Sequence, residues 1–385
     1  MEAPFTYGKL VNENDFTDRV TEIQRLISNF KSSANTILIS PRRWGKSSLV
    51  LKAVRKVQMQ SKNIIFCMLD MNNVRTEEQF YNLLATKVLQ QSSSRIDVVL
   101  ENAKLFLSKF IPNLSFSPEP GTDLKLSLDW NEVKKGPEEI LDLAENIAIK
   151  TKKKIIICID EFQNISEFEF PVDFQKKLRA HLQLHQHVSY CLYGSKRHML
   201  MEVFSSPSMP FYKFGDILFL EKISKNDWVE FIVRRFSETG KSIGNEGAAI
   251  IAKYCDNHPY YVQQLAQQVW FRTSKRCETG IILEAYEDLV MQLSMLFQMM
   301  TDELNTKQVS FLNALINNEK QTASQRVIQK YKLGTSANVL KIKNSLHNKE
   351  IIDIIGKRVE FMDPLYKYWL TKNYFKIDYI PVNGI

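Results

Sequence analysis

The chain has 385 residues, 44% of them hydrophobic and 24% charged, with a formal net charge of +8. That length and apolar content suit a soluble globular protein of two or three domains. No apolar run approaches the ~20 residues of a membrane span, and residues 1–10 are polar and interrupted by Pro4 and Gly8, unlike a signal peptide, so a cytoplasmic address and no membrane partner are expected.

The five cysteines lack metal-binding or redox spacing, and Cys67, Cys158 and Cys191 sit in apolar, strand-like runs as reduced core residues. The last 85 residues hold 13 Lys/Arg against 8 Asp/Glu, so +5 of the net +8 lies there. A polyanionic partner, if there is one, belongs to that end.

In chain order, apolar runs at 36–40, 63–70, 154–160 and 188–194, with 217–220 as a fifth, read as strands buried on both faces. Helical patterns at 47–60, 76–91, 137–150 and 174–183 separate them. This alternation predicts an α/β core with a mostly parallel sheet over about residues 1–220. Between the second and third strands, Pro112, Pro118, Pro120 and Gly121 punctuate short alternating runs at 113–117 and 124–128, which read as a hairpin inserted at about 111–130. From 227 to about 303 the pattern is helical, with a break at His258-Pro259. Helical stretches at 302–317, 322–331 and 335–348 follow, then runs at 351–355 and 358–362 joined through Gly356-Lys357. Three helices and a hairpin make a winged helix-turn-helix.

The chemistry lies at the ends of two strands. Residues 36–49 run from an apolar strand into a loop ending Gly45-Lys46-Ser47 at the start of a helix. Backbone N–H groups and a helix N-terminus surround phosphates, a lysine reaches the β/γ oxygens, and a hydroxyl binds Mg²⁺. Ser40 stands where the G-x-x-x-x-G-K-[ST] pattern has its first glycine, which requires that its backbone avoid positive φ. Such a loop needs a second site, an acidic residue ending a strand that neighbours the first. Lys153-Lys-Ile-Ile-Ile-Cys-Ile-Asp-Glu161 supplies it: Asp160 for the metal and Glu161 to orient and deprotonate the attacking water.

Phe16-Thr-Asp-Arg19 with Glu22 and Leu26, Pro41-Arg-Arg-Trp-Gly-Lys-Ser-Ser-Leu49, Asp160-Glu-Phe-Gln163, Gly194-Ser195 and Pro210-Phe-Tyr212 together resemble the archaeal-type ATPase family, of the AAA+/STAND branch of P-loop NTPases. The resemblance covers nearly the whole chain. It implies an ATPase core over 1–220, a helical lid over 221–300 and a winged-helix domain over 301–385, with ATP and Mg²⁺ as cofactors. Pro41, Arg42, Arg43, Trp44, Gly45, Lys46, Ser47 and Ser48 would line the nucleotide, with Ser47 and Asp160 on the metal and Lys46 and Glu161 in catalysis. Ser195 matches a polar sensor of the γ-phosphate, although Gly194-Ser195 also reads as a plain turn.

Asp18 and Arg19 would lie near the adenine, or form a salt bridge capping a helix. Pro259 would place the lid over the base, or simply break a helix. Arg42 and Arg43 have three readings: phosphate contact, pairing within their own domain, or reach to a neighbouring subunit's nucleotide, which would require an oligomer. Trp44 would pack on the lid or on the following helix. The family's Pro-Leu-Tyr-Gly-Arg stands here as Pro210-Phe-Tyr-Lys-Phe214, so the phosphate-sensing arginine has no equivalent unless Lys213 substitutes, and slow hydrolysis is expected.

His181, His185 and His187 lack the Glu and Cys companions of a zinc site and are not expected to bind metal. In the winged helix, Lys341, Lys343 and Asn344 on the third helix and Lys357 and Arg358 at the wing suit DNA phosphates. Tyr366, Tyr368 and Trp369 would instead anchor the module on the ATPase core or on a protein partner, which is the favoured alternative. The chain thus reads as a slow, nucleotide-controlled switch, or as a DNA-binding regulator whose nucleotide site is ancillary.

Overall fold

Ile155, Ile157 and Ile159 alternate with Ile156 and Cys158 along one strand, and all five are at most 2% exposed, so that strand is covered on both faces. The computed structural model describes residues 3–10, 16–93, 96–108 and 128–378. The expected hairpin over 111–130 falls almost entirely outside them. The described chain divides into two units, residues 19–221 and residues up to 18 together with 222 onward.

The first unit runs α1 (Val20–Ser32), β1 (Thr36–Ile39), α2 (Lys46–Gln60), β2 (Ile64–Asp70), α3 (Glu77–Ser92), α4 (Ile96–Leu107), α5 (Trp130–Lys135), α6 (Glu138–Leu141), α7 (Leu143–Thr151), β3 (Lys154–Asp160), α8 (Pro171–Leu182), β4 (Val188–Gly194), α9 (Arg197–Ser205) and β5 (Asp216–Phe219). The five strands form one parallel sheet in the order β2-β3-β4-β1-β5. On one face, Ile155, Ile157 and Ile159 join Cys67, Leu69 and side chains of α3, α6, α7 and α8 in a single core. On the other, α1 packs with α2, and Phe30 meets Phe66 with ring centroids 5.3 Å apart. Cys67, Cys158 and Cys191 are free thiols at 0% exposure, and burial pushes Cys67 up to about 12.

Within this unit two expectations change. The strand carrying Asp160 was placed next to the loop strand; β4 lies between them, pairing β3 on one side and β1 on the other. All seven β4 residues are buried, which suits the middle of the sheet, and crossover connections free spatial order from chain order. The helix expected over 137–150 is broken at Asp142, with φ −90° and ψ 0°, into α6 and α7. The Asp142 carboxylate there meets His181 at 2.9 Å and His185 at 3.0 Å, and His187 pairs with Glu145 at 2.7 Å.

The second unit continues with α10 (Lys225–Ser237), α11 (Asn245–Tyr254), α12 (Pro259–Arg272), α13 (Thr279–Gln292), α14 (Ser294–Asp302), α15 (Thr306–Ile316), α16 (Gln325–Lys330), α17 (Ser336–Asn348), β6 (Ile352–Ile355), β7 (Arg358–Phe361) and α18 (Pro364–Trp369). One hydrophobic core joins α10–α13 to α15–α18. Helices α15–α17 and the antiparallel pair β6–β7, turning at Gly356 (φ +60°) and Lys357, form the winged helix. Asn305 and Gln308 close a capping box at the start of α15.

The anchors expected to face the ATPase core or a protein partner are instead spent inside this unit. Tyr366 bonds Thr301 at 2.9 Å, Tyr368 donates to Glu287 at 2.5 Å and Trp369 to Ser294 at 2.7 Å. All three are at most 5% exposed, because α18 lies against α13 and α14. Among the described residues no helix is long and apolar enough to cross a membrane.

Candidate functional site

Strand β1 ends at Ile39, and the chain turns through residues 40–45 before α2 begins at Lys46. Ser40 is fully buried and does not take positive φ, and its hydroxyl donates to the Pro41 carbonyl at 2.9 Å. The backbone therefore tolerates serine where the pattern has glycine. Gly45 suits glycine by its backbone alone: its φ is +84°, while open space stands where a Cβ would project. Pro41 is buried, Arg42 and Arg43 are exposed, Arg43 at φ +66°, and Trp44 is half-buried. The first turn of α2 carries no acidic residue, so Lys46-Ser47-Ser48 leaves the positive end of a 15-residue helix to an anion from elsewhere.

Across the sheet, β3 delivers Asp160 and Glu161. The Ser47 hydroxyl donates to Asp160 Oδ2 at 2.7 Å, and the Lys46 ammonium lies 3.1 Å from Glu161 Oε1 and 4.0 Å from Asp160 Oδ1. Glu161 stands at φ 53°, ψ 39°, a sparsely populated conformation for a non-glycine residue, at the entry to a 3₁₀ turn over Phe162–Glu167. The other oxygen of its carboxylate receives the Ser195 hydroxyl at 2.8 Å, the Ser195 N–H at 3.3 Å and the Gln163 amide at 2.5 Å. Ser195 reaches it because β4 sits between β1 and β3.

The two carboxylates titrate in opposite directions. Burial raises the Asp160 pKa, outweighing the Lys46 charge and the Ser47 hydrogen bond, with Glu161 adding to the rise. Burial also acts to raise Glu161, but the Lys46 charge and hydrogen bonds from Gln163, Ser195 and Lys46 prevail and hold it below the usual range. Glu161 thus favours its carboxylate form, held in a fixed orientation. A hydroxyl and a carboxylate at 2.7 Å are hard oxygen donors suited to Mg²⁺. Among the described residues no group of three or more His, Cys, Asp and Glu could hold a metal alone, so a cation here would draw further ligands from phosphate and water.

Lys46, Ser47, Asp160, Glu161 and Ser195 are therefore brought together. Arg19 is buried in the same unit and donates to Glu22 at 2.9 Å and to the Glu221 carbonyl at 2.5 Å, just past Leu220, whose N–H bonds the Ile39 carbonyl at the loop end of β1. Asp18 (φ 56°) and Pro259, the first residue of α12 after His258, belong to the other unit. Lys213 and Phe214 do not reach the phosphate loop of their own chain. They precede β5, whose Asp216 is in register with Thr36 at the start of β1, whereas the loop follows the far end of β1. Phe214 is buried there, with the Arg179 guanidinium 4.6 Å from its ring centroid.

The sequence offers Gln163 only as the last residue of the Asp160-Glu-Phe-Gln163 motif, with no sign of its bond to Glu161. The signal was the pair Gln163 and Gly194. A Cβ on Gly194 would stand 1.8 Å from Gln163 Oε1, so the glycine admits the amide.

Residues 16–265 match the model of a family described as an ATPase domain predominantly from Archaea, and residues 295–372 match that of a probable winged helix domain. Two solved structures are similar along almost the whole chain. The Walker-type ATPase Paby2304 of Pyrococcus abyssi shares 15% identity at a TM-score of 0.65, over 95% of this chain and 99% of that one. The ORC2 protein of Aeropyrum pernix, solved as ADPNP-ADP complexes, shares 13% identity at a TM-score of 0.56, over 94% of each chain. Likeness at these identities concerns the fold. No curated protein matches the sequence.

Proposed function

Because this chain belongs to the family of ATPase domains found predominantly in Archaea, we propose that it is a Mg²⁺-dependent ATPase that turns over slowly and works as a nucleotide-controlled switch with the winged helix as its output. The observation that carries the reading is the convergence of Lys46 and Ser47, on an acid-free helix N-terminus, with Asp160 and Glu161. Lys46 and the N–H groups of residues 43–48 would hold the β- and γ-phosphates. Ser47 and Asp160 would hold Mg²⁺, whose chemistry there would be to offset negative charge on the phosphate oxygens. Glu161, ionised and fixed by Ser195 and Gln163, would accept a proton from water as the new P–O bond forms and the bond to the bridging oxygen breaks. Position 214 carries no arginine, and Lys213 precedes the opposite end of the sheet, which supports slow turnover within one protomer.

Nucleotide titration and phosphate release test this reading. Lys46→Ala should abolish ATP binding. Glu161→Gln should bind ATP normally and lose turnover by ~10²–10⁴-fold, the usual contribution of a general base. Turnover at the wild-type rate in Glu161→Gln protein overturns the assignment of Glu161, and turnover undiminished by a magnesium chelator overturns the assignment of Ser47 and Asp160.

A further inference from the structure

A groove of about 750 Å³ opens on the winged helix between the turn after α15, one side of α17 and the wing. Its lining includes Lys320, Lys343, Lys357 and Arg358 together with Glu319 and Glu360. Glu319 is engaged by two cations, and Glu360 lies near a lysine that Asp256 holds at 2.5 Å. Glu319 pairs with Arg326, and with Lys330 at 3.1 Å, while Glu360 lies 3.9 Å from Lys222. None of Lys320, Lys343, Lys357 and Arg358 pairs with a carboxylate among the described residues. Four cations without an ion-pair partner, from three separate segments, thus converge on one concave surface that Glu319 and Glu360 also line. Four positive charges held together in this way repel one another, and an anion with several charges spaced along it relieves that repulsion.

The outer face of α17 differs. Ala337, Leu340, Lys341, Asn344 and Asn348, at helical spacing, make up an exposed face with a single cation, and Leu340 is 59% exposed. Lys341 and Lys343, two residues apart, stand ~200° apart around the helix and cannot serve one surface. The sequence grouped them as one recognition element. Only Lys343 lines the groove.

We propose that this groove binds the phosphate backbone of a nucleic acid, and that the winged helix engages it by the wing and the turn after α15 rather than by the outer face of α17. Lys and Arg without base-reading partners recognise backbone charge and leave sequence unread. The proposal goes beyond the nucleotide reading and does not depend on it: loss of the ATPase assignment leaves the groove as it is.

The experiment is anisotropy of the full chain with fluorescein-labelled 20-bp duplexes, one DNA and one RNA, between 50 and 200 mM salt. Four phosphate contacts give a log–log slope of about −3.6, so binding to DNA should weaken by roughly 100-fold over that range. Lys320→Gln, Lys343→Gln, Lys357→Gln and Arg358→Gln should each lower the slope by about 0.9, while Lys341→Gln should leave both slope and affinity unchanged. Glutamine keeps most of the stem, and unchanged melting of each variant shows that the fold is retained. Tighter binding of RNA than of DNA, with the same four residues sensitive, supports the groove and assigns the nucleic acid. No binding of either duplex at 50 mM salt overturns the proposal, as does equal sensitivity to Lys341→Gln.

Discussion

Glu161 is held by three neighbours that come from different parts of the chain: Lys46 after β1, Gln163 in its own 3₁₀ turn and Ser195 after β4. Each bond favours the carboxylate, and together they overcome the burial that acts to raise its pKa. Gln163 can stand there only because position 194 has no side chain. Gly194→Ala should therefore push the amide off Glu161, lowering kcat about tenfold, equivalent to ~1.4 kcal/mol of transition-state stabilisation, with ATP affinity retained. Gln163→Ala should match it, and the double variant should be no worse than either single change, because both remove one interaction. Additive losses in phosphate-release assays would show that Gly194 acts by another route. Asp160 and Glu161 were legible in the sequence, since an acidic pair ending an apolar strand is a local pattern. The part played by Gln163 was not, because its meaning depends on a glycine 31 positions away.

At the scale of elements, the site depends on how firmly the surrounding helices are tied to the sheet. Helix α1 is fastened to the start of β5 by Asp216, which accepts from Arg25 Nε at 2.8 Å and from Asn29 at 2.8 Å, with a second, closer bond from the Arg25 guanidinium. Hydrogen bonding from Arg25, then from Asn29, lowers the Asp216 pKa below its ordinary 3.8 against the opposing effect of burial. A lowered carboxyl contributes stability above its unfolded pKa and loses it as pH falls through the folded value. Asp216→Asn should thus cost roughly 0.2–1 kcal/mol, the range for a solvent-exposed pair. Urea unfolding should show that difference in full from about pH 5 upward, shrinking below about pH 4. A difference that persists unchanged at pH 3 would assign the effect to packing. The strands themselves were legible from their Ile and Val runs. The break at Asp142 was not, since α6 and α7 carry one helical period and only His181, in α8, and His185, in the loop after it, mark where it stops.

At the scale of the molecule, the N-terminal segment folds with the distant half of the chain. Phe5 is 2% exposed between Phe231 and Phe236, with centroids 6.0 and 5.7 Å away. The Thr6 N–H donates to Gln263 at 3.1 Å, the Gln267 amide to the Phe5 carbonyl at 2.8 Å and Arg235 to the Pro4 carbonyl at 2.7 Å. Phe5→Ala leaves a cavity in the core shared by α10–α13, at a cost of ~3–5 kcal/mol. Amide exchange should speed up in α10, α11 and α12, while β1, β3 and β4 keep their protection, because each unit has its own core. Uniform loss of protection in both units would show that they unfold together.

The sequence by itself determined what depends on neighbours within a few residues: the strand and helix periods, the loop through Gly45, Lys46 and Ser47, the acidic pair at 160 and 161, and the three helices and hairpin of the winged helix. Tertiary structure decided what depends on partners far along the chain. It set β4 between β1 and β3, gave Glu161 its bond from Ser195 34 residues away, and gave Thr6 its acceptor at Gln263, 257 residues away. It buried Tyr366, Tyr368 and Trp369 within their own unit and left four cations of the wing groove without an ion-pair partner among the described residues. Periodicity specifies which face of an element is apolar, but the partner of that face, and the charges left over once every element is packed, are fixed only by the assembled chain.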